Sequence, residues 1–446
     1  MQWLLDRFAT APDQAAFVHE GETVAYGQAV EIINGFSDTL AREGVRAGEK
    51  VAVLADYAPA VVCLILALAQ AGAIVIPLSR AAVVEEDGAL AISGCDWFVE
   101  FDPEGRQAAF KRRRIVVDHA LVSELVAAGR PGLILFSSGS SGAPKAILHD
   151  FDRIADKFRK ARTATRAIPF LMIDHFGGVN TVLGITSSLG TVVTVADRSV
   201  AAVCEAIARN RVELLPATPS FLTLMLASGL HRKLDLSSLK RITYGTEVMA
   251  QSTLDRLRAA FPGVELQQTY GLSEVGVLRS QSRPDGSLWV RVGGEGFETR
   301  VVDDVLWIRS QYAMLGYLNA PSNFDADGWF NTQDRVEVEG DYIKILGRVS
   351  DIINVGGQKV YPAEVEDVIL GLDNILDVAV IGEAHALLGQ IVVAKVALQT
   401  PEPADDLKRR IRLACRASLA AYKAPAKVLI SQESFHTARQ KKIRRA

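Results

Sequence analysis

The sequence predicts an α/β protein. It has a large N-terminal domain of mixed, mostly parallel sheets flanked by helices, and a small C-terminal α+β domain, with the boundary near Ser350 (residues 1–349 and 350–446). Two observations predict it. Short apolar runs alternate with stretches of helical period through the N-terminal part, the pattern of βαβ units. From Leu288 to Leu346 this gives way to short strands divided by Gly and Asp, and past Gly347-Arg348-Val349-Ser350-Asp351 a new, smaller helix–strand alternation begins. At 446 residues the chain is long enough for two or three domains with real cores.

In order along the chain, Gly27–Gly44 carries Ile32, Ile33, Phe36 and Leu40 on one helical face, and Lys50–Leu54 is a short strand. Ala60–Leu78 is apolar enough to raise the question of a membrane span. Gln70, Gly72 and Pro77 split it into a buried helix, Ala60–Gln70, and a strand, Ala73–Pro77. Residues 81–130 are less patterned. Within them the basic run Lys111-Arg112-Arg113-Arg114 reads as a solvated turn before a strand Ile115–Val117, with phosphate contact as the alternative. Leu133-Ile134-Leu135 is a buried strand. Ile168–Ile173 reads as a strand entering a small-residue turn and a helix Val179–Leu189, followed by strand Thr191–Val195 and helix Ser199–Arg209. Strand Leu214–Ala217 runs into Thr218-Pro219-Ser220, an N-cap and first-turn arrangement for a helix Phe221–Ser228. A further β-α-β passage, Arg241–Tyr244, Gln251–Ala260 and Glu265–Gln268, delivers Thr269-Tyr270-Gly271-Leu272-Ser273-Glu274 at a strand end, where α/β folds place ligands. In the smaller unit Pro362 opens a helix Ala363–Leu370. Strands Asp377–Ile381 and Ile391–Leu398 and a helix Pro403–Leu419 follow.

Composition excludes several classes. A net charge of −3 gives no reason to expect nucleic acid or another polyanion, and 49% hydrophobic with 23% charged residues fits a globular chain without a membrane span. Cys63, Cys95, Cys204 and Cys415 are far apart, with no metal-ligand spacing, so free thiols in a reducing, cytoplasmic setting are expected. The opening Met1-Gln2-Trp3-Leu4-Leu5-Asp6 lacks the basic and apolar regions of a signal peptide.

The stretch richest in chemistry is Phe136-Ser137-Ser138-Gly139-Ser140-Ser141-Gly142-Ala143-Pro144-Lys145. Seven of its ten residues are Ser, Gly or Ala, and it ends on a cation. Small side chains let backbone N–H groups and hydroxyls close on a charged ligand, so the loop is suited to phosphate. It is not a Walker loop, which needs Gly directly before Lys.

Together with His175–Gly178, Tyr270–Glu274, Trp329–Asp334 running into Gly347–Glu366, and Lys441-Lys442-Ile443-Arg444-Arg445, this loop resembles the motifs of the adenylate-forming superfamily. That superfamily comprises acyl-CoA synthetases, stand-alone adenylation domains and luciferases. The likeness spans almost the whole chain. It implies ATP-dependent joining of a small carboxylic acid to AMP, then transfer to a thiol, with ATP, Mg²⁺ and CoA (or a carrier protein's phosphopantetheine) as cofactors and partners. By resemblance, Ser137, Ser138, Gly139, Ser140, Ser141, Gly142 and Lys145 would grip the β- and γ-phosphates, with Lys145 as an anchor of the loop. Tyr270, flanked by Thr269 and Gly271, would stack on adenine, Ser273 would bond the α-phosphate, and Glu274 would hold the metal. Asp334 and Arg348 match the ribose contacts, although the family's Thr-Gly-Asp reads Thr332-Gln333-Asp334 here and leaves the loop's shape open. Gly245-Thr246-Glu247 matches the family's Gly-Gly-Glu turn beside adenine. The adenylation lysine of a Gly-Lys-Ile-x-Arg context falls on Lys442 by the Lys-Ile-x-Arg match or on Lys441 by counting from Thr437. Ser350 takes the hinge position, and Gly356-Gly357 the Gly-rich strand that lines the thiol channel.

For the acid, His175-Phe176-Gly177-Gly178 resembles the His-x-Gly-Gly that borders the acyl pocket of aryl- and acyl-CoA synthetases, with Ala217 on a further wall. Asp174, one residue earlier, keeps an amino-acid substrate in view. A CoA ligase is the leading expectation. A stand-alone adenylating enzyme that loads a carrier protein and a degenerate adenylate-binding protein are the alternatives.

Overall fold

The computed structural model describes residues 1–81, 86–137, 144–195, 197–431 and 435. The chain folds as two compact units that interleave in sequence. One holds Met1–Pro216, Gly271–Val277 and Arg309–Gly328, and the other holds Ala217–Tyr270, Leu278–Ile308 and Trp329–Ala446. Both combine helices with sheets, and the chain is of the α/β class as expected.

In the first unit a sheet runs in the order Gly316–Tyr317, Lys145–Asp150, Gly132–Ser137, Ile74–Leu78, Lys50–Leu54, Cys95–Phe101, Ala108–Ile115. Its inner strands are parallel and its outer pairs antiparallel. The strands Lys50–Leu54 and Ile74–Leu78 are buried throughout, so both faces are covered and the sequence reads as continuous apolar runs rather than alternating ones. The helix Pro59–Gln70 covers this sheet and is itself almost wholly buried. Each of its large aliphatic side chains contributes on the order of 1.5–3 kcal/mol on burial. Ala60–Leu78 is therefore a core helix and strand, and among the described residues no helix is long and apolar enough to cross a membrane. In a second sheet Ala15–His19 pairs Thr191–Val193 in parallel and Glu22–Ala25 antiparallel.

Three readings are corrected here. The basic run is not a turn: Lys111–Arg114 lies inside the edge strand Ala108–Ile115, which ends where a strand had been expected to begin. Arg112 lies over Trp97 and Arg113 over Phe98, while Lys111 pairs with Glu100. Charge along a free edge discourages further strand pairing, a physical role for the run that needs no ligand. Ile168–Ile173 is buried but is not a strand; only Arg166–Ala167 pairs, because Pro169 has no N–H to continue a ladder. The weakly patterned region 86–130 holds helix Glu86–Ser93, strands Cys95–Phe101 and Ala108–Ile115, and helix Ala120–Ala127.

In the second unit the strands Arg241–Tyr244 and Glu265–Gln268 pair in parallel. A six-stranded sheet follows in the order Arg279–Ser282, Val290–Gly293, Tyr342–Arg348, Phe330–Glu339, Val305–Ser310, Phe297–Val302. The C-terminal sheet is built on Ile375–His385 against Gly389–Leu398. The helices Pro362–Leu370 and Ala404–Ser418 pack on it through Val365, Ile369, Leu407, Ile411 and Cys415. Gly356 and Gly357, read as part of a strand, form the turn between Ile353–Val355 and Gln358–Val360. Their φ values of +55° and +84° are those of a two-residue hairpin turn that only glycine takes without strain.

Candidate active site

In the first unit the strands flanking the Ser/Gly loop pair so that Ser137 lies opposite Lys145. Ser138, Gly139, Ser140, Ser141 and Gly142 lie outside the described residues, as do Lys441 and Lys442. Asn319 fixes the loop's exit: its Nδ2 donates to the Pro144 carbonyl at 2.8 Å and its Oδ1 accepts from the Ala146 N–H at 2.9 Å. The Lys145 ammonium sits 5.0 Å from the centre of the Tyr317 ring, and the Tyr317 hydroxyl donates to Glu274 Oε1 at 2.7 Å. One aromatic side chain thus joins the loop's cation to the candidate metal carboxylate. Ser273 and Glu274 occupy the tip of a tight hairpin whose strands are Gly271–Leu272 and Gly276–Val277, and the Glu274 carbonyl accepts from the Met314 N–H at 2.7 Å. The Glu274 carboxylate is half-buried. Among the described residues no cluster of three His, Cys, Asp or Glu side chains stands together. A lone carboxylate suits Mg²⁺, which takes one or two carboxylates and completes its shell with phosphate oxygens and water.

His175 caps the helix Phe176–Thr186, its Nδ1 accepting from the Gly177 N–H at 3.0 Å. That nitrogen is committed to the helix end, which leaves Nε2 as the other ring position. Asp174 is only 4% exposed and accepts from the Ser79 hydroxyl at 2.9 Å. On strand Lys145–Asp150, His149 is fully buried against Phe176, and among the described residues neither ring nitrogen has a hydrogen-bond partner of ordinary geometry, the backbone of Ser273 being the polar group that favours its charged form. A buried polar group left unpaired costs about 1–3 kcal/mol. Burial pushes the imidazole down to about 3, so the ring is neutral at ordinary pH.

In the second unit the parallel register sets Tyr244 opposite Gln268 and so brings Gly245 against Thr269. A Cβ at Gly245 would lie 2.6 Å from Thr269 Oγ1 and 2.7 Å from its carbonyl oxygen, which explains the glycine. Thr246 follows at φ +69°. Glu247 turns away from any metal role: its Oε2 accepts from the Ser220 hydroxyl at 2.5 Å and the Ser220 N–H at 3.3 Å, at the N-terminus of helix Pro219–Ser228. Ala217, buried, ends the strand before that helix.

Asp334 is 7% exposed. Its Oδ2 accepts from the Tyr270 hydroxyl at 2.5 Å, its Oδ1 lies 3.3 Å from Arg348 Nε, and its N–H donates to Thr332 Oγ1 at 3.0 Å. Burial and the neighbouring Asp334 hold the Tyr270 phenol well above its usual range, so it stays a donor. Gln333 sits at φ +62°, the left-handed conformation that a glycine adopts freely. Ser350 lies exposed in a single turn of 3₁₀ helix, Val349–Asp351, and donates to Asp351 Oδ1 at 3.0 Å.

Sequence reasoning missed Tyr317 and His149. Their partners lie far away in the chain, and neither stands in a run whose local period or spacing marks it.

The chain belongs to the AMP-binding enzyme family: that family matches residues 4–318, and the AMP-binding enzyme C-terminal domain matches residues 364–441. The curated proteins it resembles include acid–CoA ligases. Feruloyl-CoA synthase of Amycolatopsis sp is 28% identical, covering 96% of this chain and 94% of the relative. Indoleacetate–CoA ligase of Aromatoleum aromaticum is 26% identical over 98% and 95%. Among solved structures, the anthranilate CoA ligase AuaEII in complex with anthranoyl-AMP shares the fold with a TM-score of 0.83 at 20% identity, over 98% of this chain and 94% of that one. The o-succinylbenzoate CoA synthetase MenE of Bacillus subtilis, in complex with an acyl-adenylate intermediate, does so at 0.80 and 22%, over 99% and 96%.

Proposed function

We propose that the protein activates a carboxylic acid lacking an α-amine with ATP and Mg²⁺ and passes the acyl group to CoA. The observation that carries this reading is the Lys145–Tyr317–Glu274 connection, which ties the exit of a phosphate-suited loop to a carboxylate suited to a hard cation. In the first half-reaction a carboxylate oxygen attacks the α-phosphorus, the bond to the β-phosphate oxygen breaks, and pyrophosphate leaves. In the second the thiol attacks the acyl carbon, AMP departs, and the thiol proton goes to solvent.

The barrier to the first step is the meeting of two anions, on the order of 4 kcal/mol per charge pair at 4 Å and an effective dielectric near 20. The residues divide the work of offsetting it. Residues 137–145 hold the leaving phosphates, the Ser273 hydroxyl donates to the α-phosphate, and Asp334 with Arg348 receives the ribose hydroxyls. Tyr270, its hydroxyl pinned by Asp334, presents its ring to adenine. Mg²⁺ held by Glu274 supplies charge neutralisation on the phosphates. Lys442, or Lys441, brings the cation for the adenylation step. The acid lies beside His175, Phe176, Gly177 and Ala217. A substrate without an α-amine fits, because Asp174, the carboxylate nearest that segment's start, is buried and bonded to Ser79.

Residues 350–446 turn about Ser350 between the half-reactions, exchanging the lysine for the Gly356-Gly357 turn at the thiol channel. Ser350 suits a hinge because its side chain is exposed and donates to its neighbour Asp351. The four buried free cysteines suit a reducing cytoplasm. Incubation with Mg²⁺, ATP, a radiolabelled acid panel and CoA tests the reading: pyrophosphate release with a labelled thioester is expected. Label passing only to a phosphopantetheinylated carrier protein would move the acceptor. ATP binding without pyrophosphate release would leave a nucleotide-binding protein.

A further inference from the structure

The second unit holds an open cavity of about 400 Å³ that the reaction above does not use. Its walls are Leu226 near the end of helix Pro219–Ser228, His231 and Arg232 in the short 3₁₀ turn that follows, and Arg256, Ala259 and Ala260 from the second half of helix Gln251–Ala260. That volume lies within the range of small-molecule sites. The first turns of the two helices meet beside Glu247: Ser220 donates to its carboxylate, and the Thr223 and Thr253 hydroxyls lie 3.3 Å apart. The cavity is at their other ends. A ten-residue helix is about 15 Å long, so a molecule bound there stands clear of the Gly245-Thr246-Glu247 turn.

Charge sets the chemistry. Two guanidinium groups and an imidazole line the cavity, and among the described residues no carboxylate does. Neither Arg232 nor Arg256 forms an ion pair or hydrogen bond among the described residues, whereas Arg241, Arg283 and Arg335 of the same unit pair with Glu265, Glu339 and Asp304. Arg232 sits at a helix end, where a cation complements the helix dipole. Arg256 stands in mid-helix, half-buried, where the dipole does not account for it. The His231 ring packs against Phe261 with 5.7 Å between centroids, and its Nδ1 is buried with no hydrogen-bond partner among the described residues, which leaves Nε2 to meet a ligand.

We propose that this cavity is a second anion site, one that takes a small organic phosphate: Arg232 and Arg256 clasp the phosphoryl oxygens, and Leu226, Ala259 and Ala260 cover an apolar body. A planar guanidinium presents paired N–H donors that match phosphate oxygens two at a time. A carboxylate fills one such fork and leaves the second arginine without a counter-ion, so a phosphomonoester dianion is the better match. The inference goes beyond the ligase reading and is judged by binding, not turnover.

The test titrates phenyl phosphate into the full chain by calorimetry, with inorganic phosphate and benzyl alcohol as comparisons. Phenyl phosphate is expected to bind with a Kd of about 1 mM or tighter, inorganic phosphate at least about 5-fold more weakly for want of the apolar contact, and benzyl alcohol not at all. The double variant Arg232→Gln, Arg256→Gln removes charge without removing an ion pair, so it should melt with the native protein while losing affinity by about 10-fold or more. Ala259→Trp fills the cavity from its exposed wall and keeps both arginines; it should abolish binding, and it alone decides if the double variant melts lower. Binding of phenyl phosphate that survives these changes places the anion elsewhere and overturns the proposal. So does binding no tighter than that of inorganic phosphate, or none by the native chain. Absence of pyrophosphate release with every acid would sink the ligase reading and leave this result untouched.

Discussion

The Tyr270 hydroxyl lies 2.5 Å from Asp334 Oδ2, and the same carboxylate meets Arg348 through its other oxygen. A buried aspartate is thus held from both sides, with Tyr270 ending one strand–loop passage and Asp334 and Arg348 facing each other across two antiparallel strands. Tyr270→Phe removes one donor from a buried carboxylate. A loss of about 1–3 kcal/mol in stability is expected, together with a rise in KM for ATP and little change in KM for the acid. Denaturation midpoints and steady-state kinetics check both, and a KM shift for the acid alone would count against the assignment.

Tyr317 joins Lys145 to Glu274, so Tyr317→Phe separates the cation–ring contact, which it keeps, from the hydroxyl, which it removes. The expected result is a several-fold rise in the Mg²⁺ concentration needed for half-maximal pyrophosphate release. Glu274→Ala should raise it further and lower turnover by about 10²-fold, the scale seen on losing one electrostatic stabiliser. Unchanged Mg²⁺ dependence in Glu274→Ala would remove that residue from the metal site.

Lys442→Ala and Lys441→Ala separate the two candidates for the adenylation cation. Loss of pyrophosphate release by about 10²-fold or more is expected from Lys442→Ala, with thioester formation from preformed acyl-adenylate retained. The same outcome from Lys441→Ala instead would exchange their roles.

Thr246 and Gln333 hold φ values of +69° and +62°. Left-handed backbone costs an L-residue roughly 1–2 kcal/mol, and glycine's extra freedom in the unfolded chain returns about 0.5–1 kcal/mol of that. Thr246→Gly and Gln333→Gly should each stabilise the protein by about 0.5–1 kcal/mol, with Thr246 the larger because its Cβ is branched. Urea unfolding of the two variants measures this directly; destabilisation of both would refute the strain.

His149 titrates near 6.5 in the unfolded chain and is pushed down to about 3 when buried. The unfolded state therefore binds one more proton between those values. The stability that comes from keeping the ring neutral is full above pH 6.5 and is lost as the pH falls toward about 3. The slope from this one site is about 1.4 kcal/mol per pH unit. Unfolding midpoints at pH 7, 6 and 5 should fall more steeply for the native protein than for His149→Phe. Parallel lines would show that the ring titrates in the fold as it does in the unfolded chain.

Much of the fold was legible because its determinants are local. Lys50–Leu54, Leu214–Ala217, Arg241–Tyr244, Gln251–Ala260 and Glu265–Gln268 have in the structure the bounds their apolar period and turn residues predict. Ala108–Ile115 was not legible: its side chains are stabilised by Trp97, Phe98 and Glu100 on the neighbouring strand, and a charged edge strand has no apolar period of its own. Ile168–Ile173 misled in the opposite sense, being apolar because it is buried, while Pro169 denies it a ladder. At the site, residues in contiguous motifs could be named in advance, such as Asp334, Arg348 and Glu274. Tyr317 and His149 act through contacts made across long stretches of chain, and a solitary Tyr or His on a strand carries no spacing that announces such a partner. Gln333 shows a third case. Its residue type argued for an altered loop, yet the backbone keeps the conformation glycine would have.

Cys63, Cys95, Cys204 and Cys415 are all fully buried. Burial pushes Cys63 up to about 12 and Cys204 and Cys415 to about 11, and raises Cys95 as well. Since the thiolate is the form that reacts, the native chain resists maleimides and mild oxidants without any engineering. A single cysteine placed at an exposed position such as Ser350 or Leu387 would be the one site to take a fluorophore, which makes the chain ready for direct optical observation of movement during turnover.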